Sequence, residues 1–178
     1  MIAGGWDADR LFAIDFADPS WGCNVDNAAQ IDSRIDAILA ETGAPAIQIV
    51  AHSMGSLSSR HFLKSLAGTA KATTLVTLGG MNHGLASPCS PDFPGKPCVW
   101  TELCETGAFI ADLNAAPAAP ADVRLASIYG TADTTVPNTS SPIDGAENIQ
   151  VEGIDHMGLL DDPGVFEHVR RILGDPPP

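Results

Sequence analysis

Positive charge is scarce in this sequence. Lys and Arg number 9 against 22 Asp and Glu, a formal net charge of −13. A surface this acidic repels phosphate backbones and anionic headgroups, which argues against nucleic acid as a partner. Long apolar runs are missing too. None approaches the length a membrane-spanning helix needs, which excludes stable membrane insertion by that route. Aromatic residues make up only 6%, so there is no sign of a stacking surface for nucleic acid or carbohydrate. No His-x₃-His or Cys-x₂₋₄-Cys spacing occurs among the five histidines and four cysteines, which weakens any metal-site reading. The opening MIAGGWDADR has neither the basic start nor the apolar segment of a secretory leader. Internal repeats and linker-bounded second domains are also absent.

What is present fits one globular domain over 1–178, with 174–178 as a tail. Hydrophobic residues make up 44% and charged residues 17% of 178, enough apolar material for a core. Cys89, Cys98 and Cys104 crowd the Pro-rich stretch CSPDFPGKPCVWTELC, and Cys23 lies far upstream. This usage predicts disulfides and an oxidising compartment, with all three possible pairings open. Thiol titration of the denatured, unreduced protein tests it, and four free thiols would end the idea.

Along the chain, apolar runs alternate with helical patterns. RLFAIDF (10–16), AIQIVAH (46–52), TTLVTLGG (73–80), VRLASIYG (123–130) and ENIQVEG (147–153) read as five strands. Residues 26–44, 54–68, 107–116 and 165–173 read as helices, with Gly43 and Gly68 as stops for the first two, and 81–105 as a long loop. Near-continuous apolar strands separated by helices predict an α/β fold, a parallel sheet of about five strands covered on both faces. Chemistry in such sheets sits beyond the carboxyl ends of the strands.

After the run 46–52 comes Ala51-His52-Ser53-Met54-Gly55 and then a helix. This is the nucleophile-elbow pattern with Ala in the first small position. The tight turn calls for small residues two before and two after the serine. It would lift the Ser53 hydroxyl out of the sheet and leave the Met54 N–H free to face an oxyanion. The plainer role for Ser53 is a helix N-cap. A serine hydroxyl needs a base to take its proton and an acid to orient that base. In this chain order the acid comes before the histidine. Asp133 follows the run 123–130, whereas Asp122 lies at its wrong end, Asp112 sits in a helix and Asp144 precedes the last strand. The plainer role for Asp133 is an Asx-turn. His156 follows the last strand. His52, His61, His83 and His168 read as packing, loop or solvated residues, and Asp155 is too close in the chain to orient His156. The residues therefore predict a Ser53–His156–Asp133 triad for acyl transfer.

These residues resemble a known family. GWDADRLFAIDF, ETGAPAIQIVAHSMGS, TLVTLGGMNHG, SIYGTADTTV and SPIDGAENIQVEGIDHMGLL are similar to the small secreted bacterial lipases of class 2, across residues 5–173. AHSMG, with Ala first, is a specific marker of that family. The resemblance implies a compact α/β-hydrolase, a three-layer sandwich with little or no lid. It implies Ser53 as nucleophile, Asp133 as acid, His156 as base and the Met54 N–H as one oxyanion donor. It implies hydrolysis of carboxylic esters, triacylglycerols or simpler acyl esters, by a secreted monomer without a cofactor.

Two departures stand out. The loop 84–105 with its three cysteines is longer than in the smallest members. Family members also begin with an apolar strand and a His-Gly-containing loop that supplies the second oxyanion donor, and this chain starts downstream of that position. The expectation is a longer, secreted parent protein. A missing donor costs on the order of 10²–10³ in turnover elsewhere. The alternatives are a catalytically impaired α/β-hydrolase that binds a lipid or partner, and an acyltransferase or thioesterase with the same triad. A serine-reactive phosphonate separates the first from an enzyme, and product analysis separates water from alcohol as acceptor.

Overall fold

Four of the apolar runs pair side by side. In the computed structural model, which describes residues 1–90 and 97–174, β1 (Ile47–His52), β2 (Ala72–Leu78), β3 (Arg124–Gly130) and β4 (Glu147–Val151) form one parallel sheet in the order β1-β2-β3-β4. The register aligns Ala51 with Thr77, Leu78 with Ile128, and Gly130 with Val151. All four strands therefore end at one edge, and the residues just beyond them become neighbours.

The side-chain period of two divides the core. Leu75 and Leu125 face α1 (Asn24–Thr42) and α2 (Gly55–Ser65), where they join Ala28, Ile31, Ile35, Phe62 and Leu63. Val76, Leu78 and Ile128 face α5 (Pro163–Leu173), packed on Val165, Val169 and Ile172. β2 is buried along nearly its whole length, while β1 and β4 alternate in exposure. Continuous apolar sequence thus marks the middle of the sheet and alternation marks its edges. Asp162 caps α5 by accepting from the Val165 N–H at 2.9 Å, with Pro163 in the first turn.

The fifth expected strand is not one. Residues 8–10 form a 3₁₀ turn, and 11–16 run on without a strand partner among the described residues. Ile14 and Phe16 pack on the core that contains α1, the Arg34 guanidinium lies 5.6 Å from the Phe12 ring centre, and the Ala17 N–H donates to Gln30. The run satisfies its apolar side chains against a helix instead of a sheet edge. Gly68 does not stop α2, which ends at Ser65 with the Leu66 N–H on Phe62 O; Gly68 opens a separate 3₁₀ turn.

The long loop after β2 is more ordered than its composition suggests. It holds α3 (Cys98–Leu103), followed by α4 (Ala108–Asn114). Disulfides join Cys23 to Cys98 and Cys89 to Cys104, which selects one of the three pairings. Glu102 of α3, buried, accepts the Asn24 and Val25 N–H groups at the start of α1. A carboxylate there satisfies donors the helix leaves open and complements its dipole. Residues 91–96 of the expected loop, and 175–178 of the expected tail, lie outside the described residues.

Buried Arg60 of α2 ties this region to the sheet. Its guanidinium donates to Asn82 O, Leu113 O and Asn114 Oδ1 at 2.9–3.0 Å. Burial pushes its pKa down to about 10. Asn82 in turn donates to Ser141 O, which joins the segment after β2 to the one before β4.

Candidate active site

The carboxyl edge of the sheet gathers residues that are far apart in sequence. Ser53 follows β1 directly, at a φ of +55°, a left-handed conformation that a serine rarely adopts. Its N–H donates to Leu78 O at 2.9 Å, and its carbonyl accepts from both the N–H and the hydroxyl of Ser56. The turn is thus held on both sides while the Ser53 side chain stays free of backbone duty. The Met54 N–H belongs to the first turn of α2, outside the helix ladder. The steric demand expected at Gly55 is not found, because a Cβ there would meet nothing within 4 Å. Among the described residues, no other segment crosses that position.

His156 follows β4 and Asp133 follows β3. His156 Nε2 lies 3.0 Å from Ser53 Oγ, and His156 Nδ1 lies 2.7 Å from Asp133 Oδ2. The carboxylate can only accept, so Nδ1 carries the proton and Nε2 turns its lone pair to the hydroxyl. Asp133 Oδ1 accepts the N–H groups of Thr135 and Val136 at 2.9 and 2.8 Å. One carboxylate oxygen is anchored to its own turn and the other is left for the imidazole. The Asx-turn role and the pairing with His156 coexist on one side chain. The Asp133 side chain is 1% exposed and that of His156 11%. In so dry a setting the pair's hydrogen bond is stronger than it would be in water.

The bare Cα of Gly79, beyond β2, makes room for this pair. Its φ is +53°, and a Cβ would lie 3.1 Å from both Asp133 Oδ2 and His156 Nδ1. The segments that carry Asp133 and His156 are also stitched together. Ala132 N–H donates to Ile154 O, and Gly153 N–H donates to Thr131 Oγ1. Asp155 does not face the imidazole. It accepts the Gly158 N–H at 2.7 Å and starts the 3₁₀ turn 158–160, which seats buried Leu159 under Gly79. Met157 and Leu160, close in sequence to His156, are exposed.

The other sequence candidates fall elsewhere. Asp112 is on α4, Asp122 precedes β3, and Asp144 lies in the segment before β4. His61 stands against the Phe109 ring, His83 donates its N–H to Ser140 O, and His168 is on α5. His52 has a hydrogen bond beyond the packing role expected for it. Its ring lies 4.5 Å from that of His156, and its Nε2 is 2.9 Å from the His156 carbonyl oxygen. Its place directly before Ser53 was the one signal in sequence. Among the described residues, no group of three His, Cys, Asp or Glu side chains is placed to hold a metal ion.

Residues 2–172 match the family described as Lipase (class 2). Among solved structures, the fold is similar to Aspergillus fumigatus lipase B, with a TM-score of 0.72 and 19% identity over 89% of this chain and 44% of that one. It is also similar to a Bacillus licheniformis lipase in its mature form, with a TM-score of 0.68 and 16% identity over 85% and 74%. A metagenomic carboxyl esterase aligns with a TM-score of 0.61 and 18% identity over 77% and 52%. At these identities the likeness concerns the fold. The chain spans less than half of the Aspergillus protein and about half of the esterase.

Proposed function

The chain belongs to the class 2 lipase family, and from that premise we propose that it is a serine hydrolase of carboxylic esters. The supporting observation is the continuous chain of hydrogen bonds from Ser53 through His156 to Asp133, at 3.0 and 2.7 Å. Ser53 Oγ attacks the ester carbonyl while His156 Nε2 takes its proton. The tetrahedral oxyanion accepts the Met54 N–H. Collapse expels the alcohol, which receives the proton from His156, and leaves an acyl group on Ser53. Water then attacks that acyl group with His156 again as base, and the acid departs. Asp133 keeps the imidazole in its Nδ1–H tautomer and stabilises the imidazolium at each proton transfer.

The substrates proposed are triacylglycerols or short-to-medium acyl esters. Exposed Met157 and Leu160 beside the base offer apolar contact for an acyl chain. Two disulfides favour an oxidising, extracellular setting for the protein.

The test is hydrolysis of a short-chain chromogenic ester by the purified chain, with Ser53→Ala beside it. A turnover that vanishes in the variant supports the proposal. A folded wild-type chain that neither turns over the ester nor takes a phosphonate label on Ser53 refutes it, and favours a lipid- or partner-binding role. An acyl product found on an added alcohol in preference to water would turn the reading toward an acyltransferase.

A further inference from the structure

Two hydrogen bonds join one dipeptide to one residue. Ser53 Oγ meets the His156 ring at Nε2, 3.0 Å away, and the preceding residue, His52, meets the His156 backbone. The acceptor in that second bond is a carbonyl oxygen, so His52 Nε2 carries the proton and donates it over 2.9 Å. The two imidazoles face each other at 4.5 Å with a tilt of 42°. His156 is thereby held at both ends, its ring by Ser53 and Asp133 and its main chain by His52. Among the described residues, no other hydrogen bond runs from the end of β1 to the backbone of residue 156.

We propose that His52 is a positioning residue for catalysis, clamping the backbone of the base to the strand that carries the nucleophile. The inference rests on the hydrolase reading above. β1 is rigid through its pairing with β2. The segment 152–157 is irregular, with Glu152, Gly153, Asp155 and Met157 exposed, and its hydrogen bonds to the Asp133 segment do not fix it to β1. An unclamped segment would let the His156 ring drift from Ser53 and loosen its hydrogen bond to Asp133. A sub-ångström error in the distance between nucleophile and base is enough to lower the rate. Burial lowers the affinity of His52 for a second proton, which keeps it a neutral donor beside a base that must become cationic.

The variants separate ring from donor. His52→Phe keeps an aromatic face against His156 and loses the N–H. His52→Gln places an amide N–H near the position of Nε2 and loses the ring. His52→Ala removes both without crowding. All three are compared with the full chain for kcat, KM, the rate of phosphonate labelling at Ser53, thermal midpoint, and the downfield NMR signal of the His156 Nδ1 proton. The expectation is a drop of about tenfold in kcat and in labelling rate for Phe and Ala, with KM unchanged. The Gln variant should recover most of the rate, and the Nδ1 proton should exchange faster only in Phe and Ala. A Phe variant with wild-type kcat, a Gln variant as slow as Phe, or a loss confined to KM overturns the proposal. In those cases the wild type still labels, so the hydrolase reading stands. A wild-type chain that fails to label at Ser53 overturns both.

Discussion

Gly79→Ala is the sharpest probe of how the fold seats Asp133 and His156. Two effects are expected, and they can be separated. The first is conformational. At a φ of +53° an alanine carries a left-handed penalty of about 1–2 kcal/mol. For a domain of this size that lowers the thermal midpoint by about 2–8 °C. The second is steric. The new Cβ would lie 2.9 Å from Leu159 Cδ1 and 3.1 Å from both Asp133 Oδ2 and His156 Nδ1. The leucine methyl can swing aside. The Asp133 carboxylate is held by the Thr135 and Val136 N–H groups, so the imidazole must yield, by a few tenths of an ångström. A shift of that order moves Nε2 off Ser53 Oγ and should lower kcat about tenfold. Gly43→Ala is the control. Gly43 has a φ of +67° and nothing within 4 Å of a Cβ, so it carries the first effect alone. The assay is ester hydrolysis at saturating substrate beside a thermal melt of each variant. A melting loss at position 79 at least as large as at position 43, with a kcat loss only at position 79, fits the reasoning. An unchanged kcat in Gly79→Ala, or the same kcat loss in Gly43→Ala, refutes it.

Three further outcomes follow from the packing. Arg60→Met removes the donor for three acceptors of the segment after β2 and of α4, and should cost about 3 kcal/mol, read as a drop of about 6–12 °C in melting; a melt within about 2 °C of wild type contradicts it. Glu147 pairs with Arg171 and Arg124, which hold its carboxyl below the usual value of 4.5. Its contribution to stability is therefore present above that pH and lost as pH falls through the lower folded value. Wild type and Glu147→Gln should differ in melting at neutral pH and converge in acid, and a constant gap would show that the pairing is not the cause. Replacing Cys23 and Cys98 together by Ser opens a link across 75 residues and should cost about 4 kcal/mol in chemical denaturation, against about 3 kcal/mol for the Cys89–Cys104 link across 15. The reverse order would contradict the loop-length account.

Much of this arrangement is readable from local pattern. Continuous apolar stretches marked β2 and β3 as buried strands because both faces of each are covered. Ser53, Asp133 and His156 stand just past the ends of strands, positions that local pattern marks. RLFAIDF misled because an apolar run shows only that its side chains are buried, and here a helix, not a strand, takes them. The helix Cys98–Leu103 was missed because its neighbours are rich in Pro and Gly and it is too short to show a period. Glu102 as a remote cap for α1 carried no local signal at all, and His52 as a partner of His156 carried only its place directly before Ser53.

Composition and periodicity alone determined the class of fold, the parallel sense of the sheet and the strand ends where chemistry could sit. Those are local properties, set by which side chains avoid water at a period of two or 3.6 residues. Only the tertiary structure decided which cysteines pair, that four strands and not five form the sheet, and that His156 stands between Ser53, 103 residues away, and Asp133, 23 residues away. Such contacts depend on distances that no neighbouring residue encodes. They arise when strands pack in register and bring their ends to one edge.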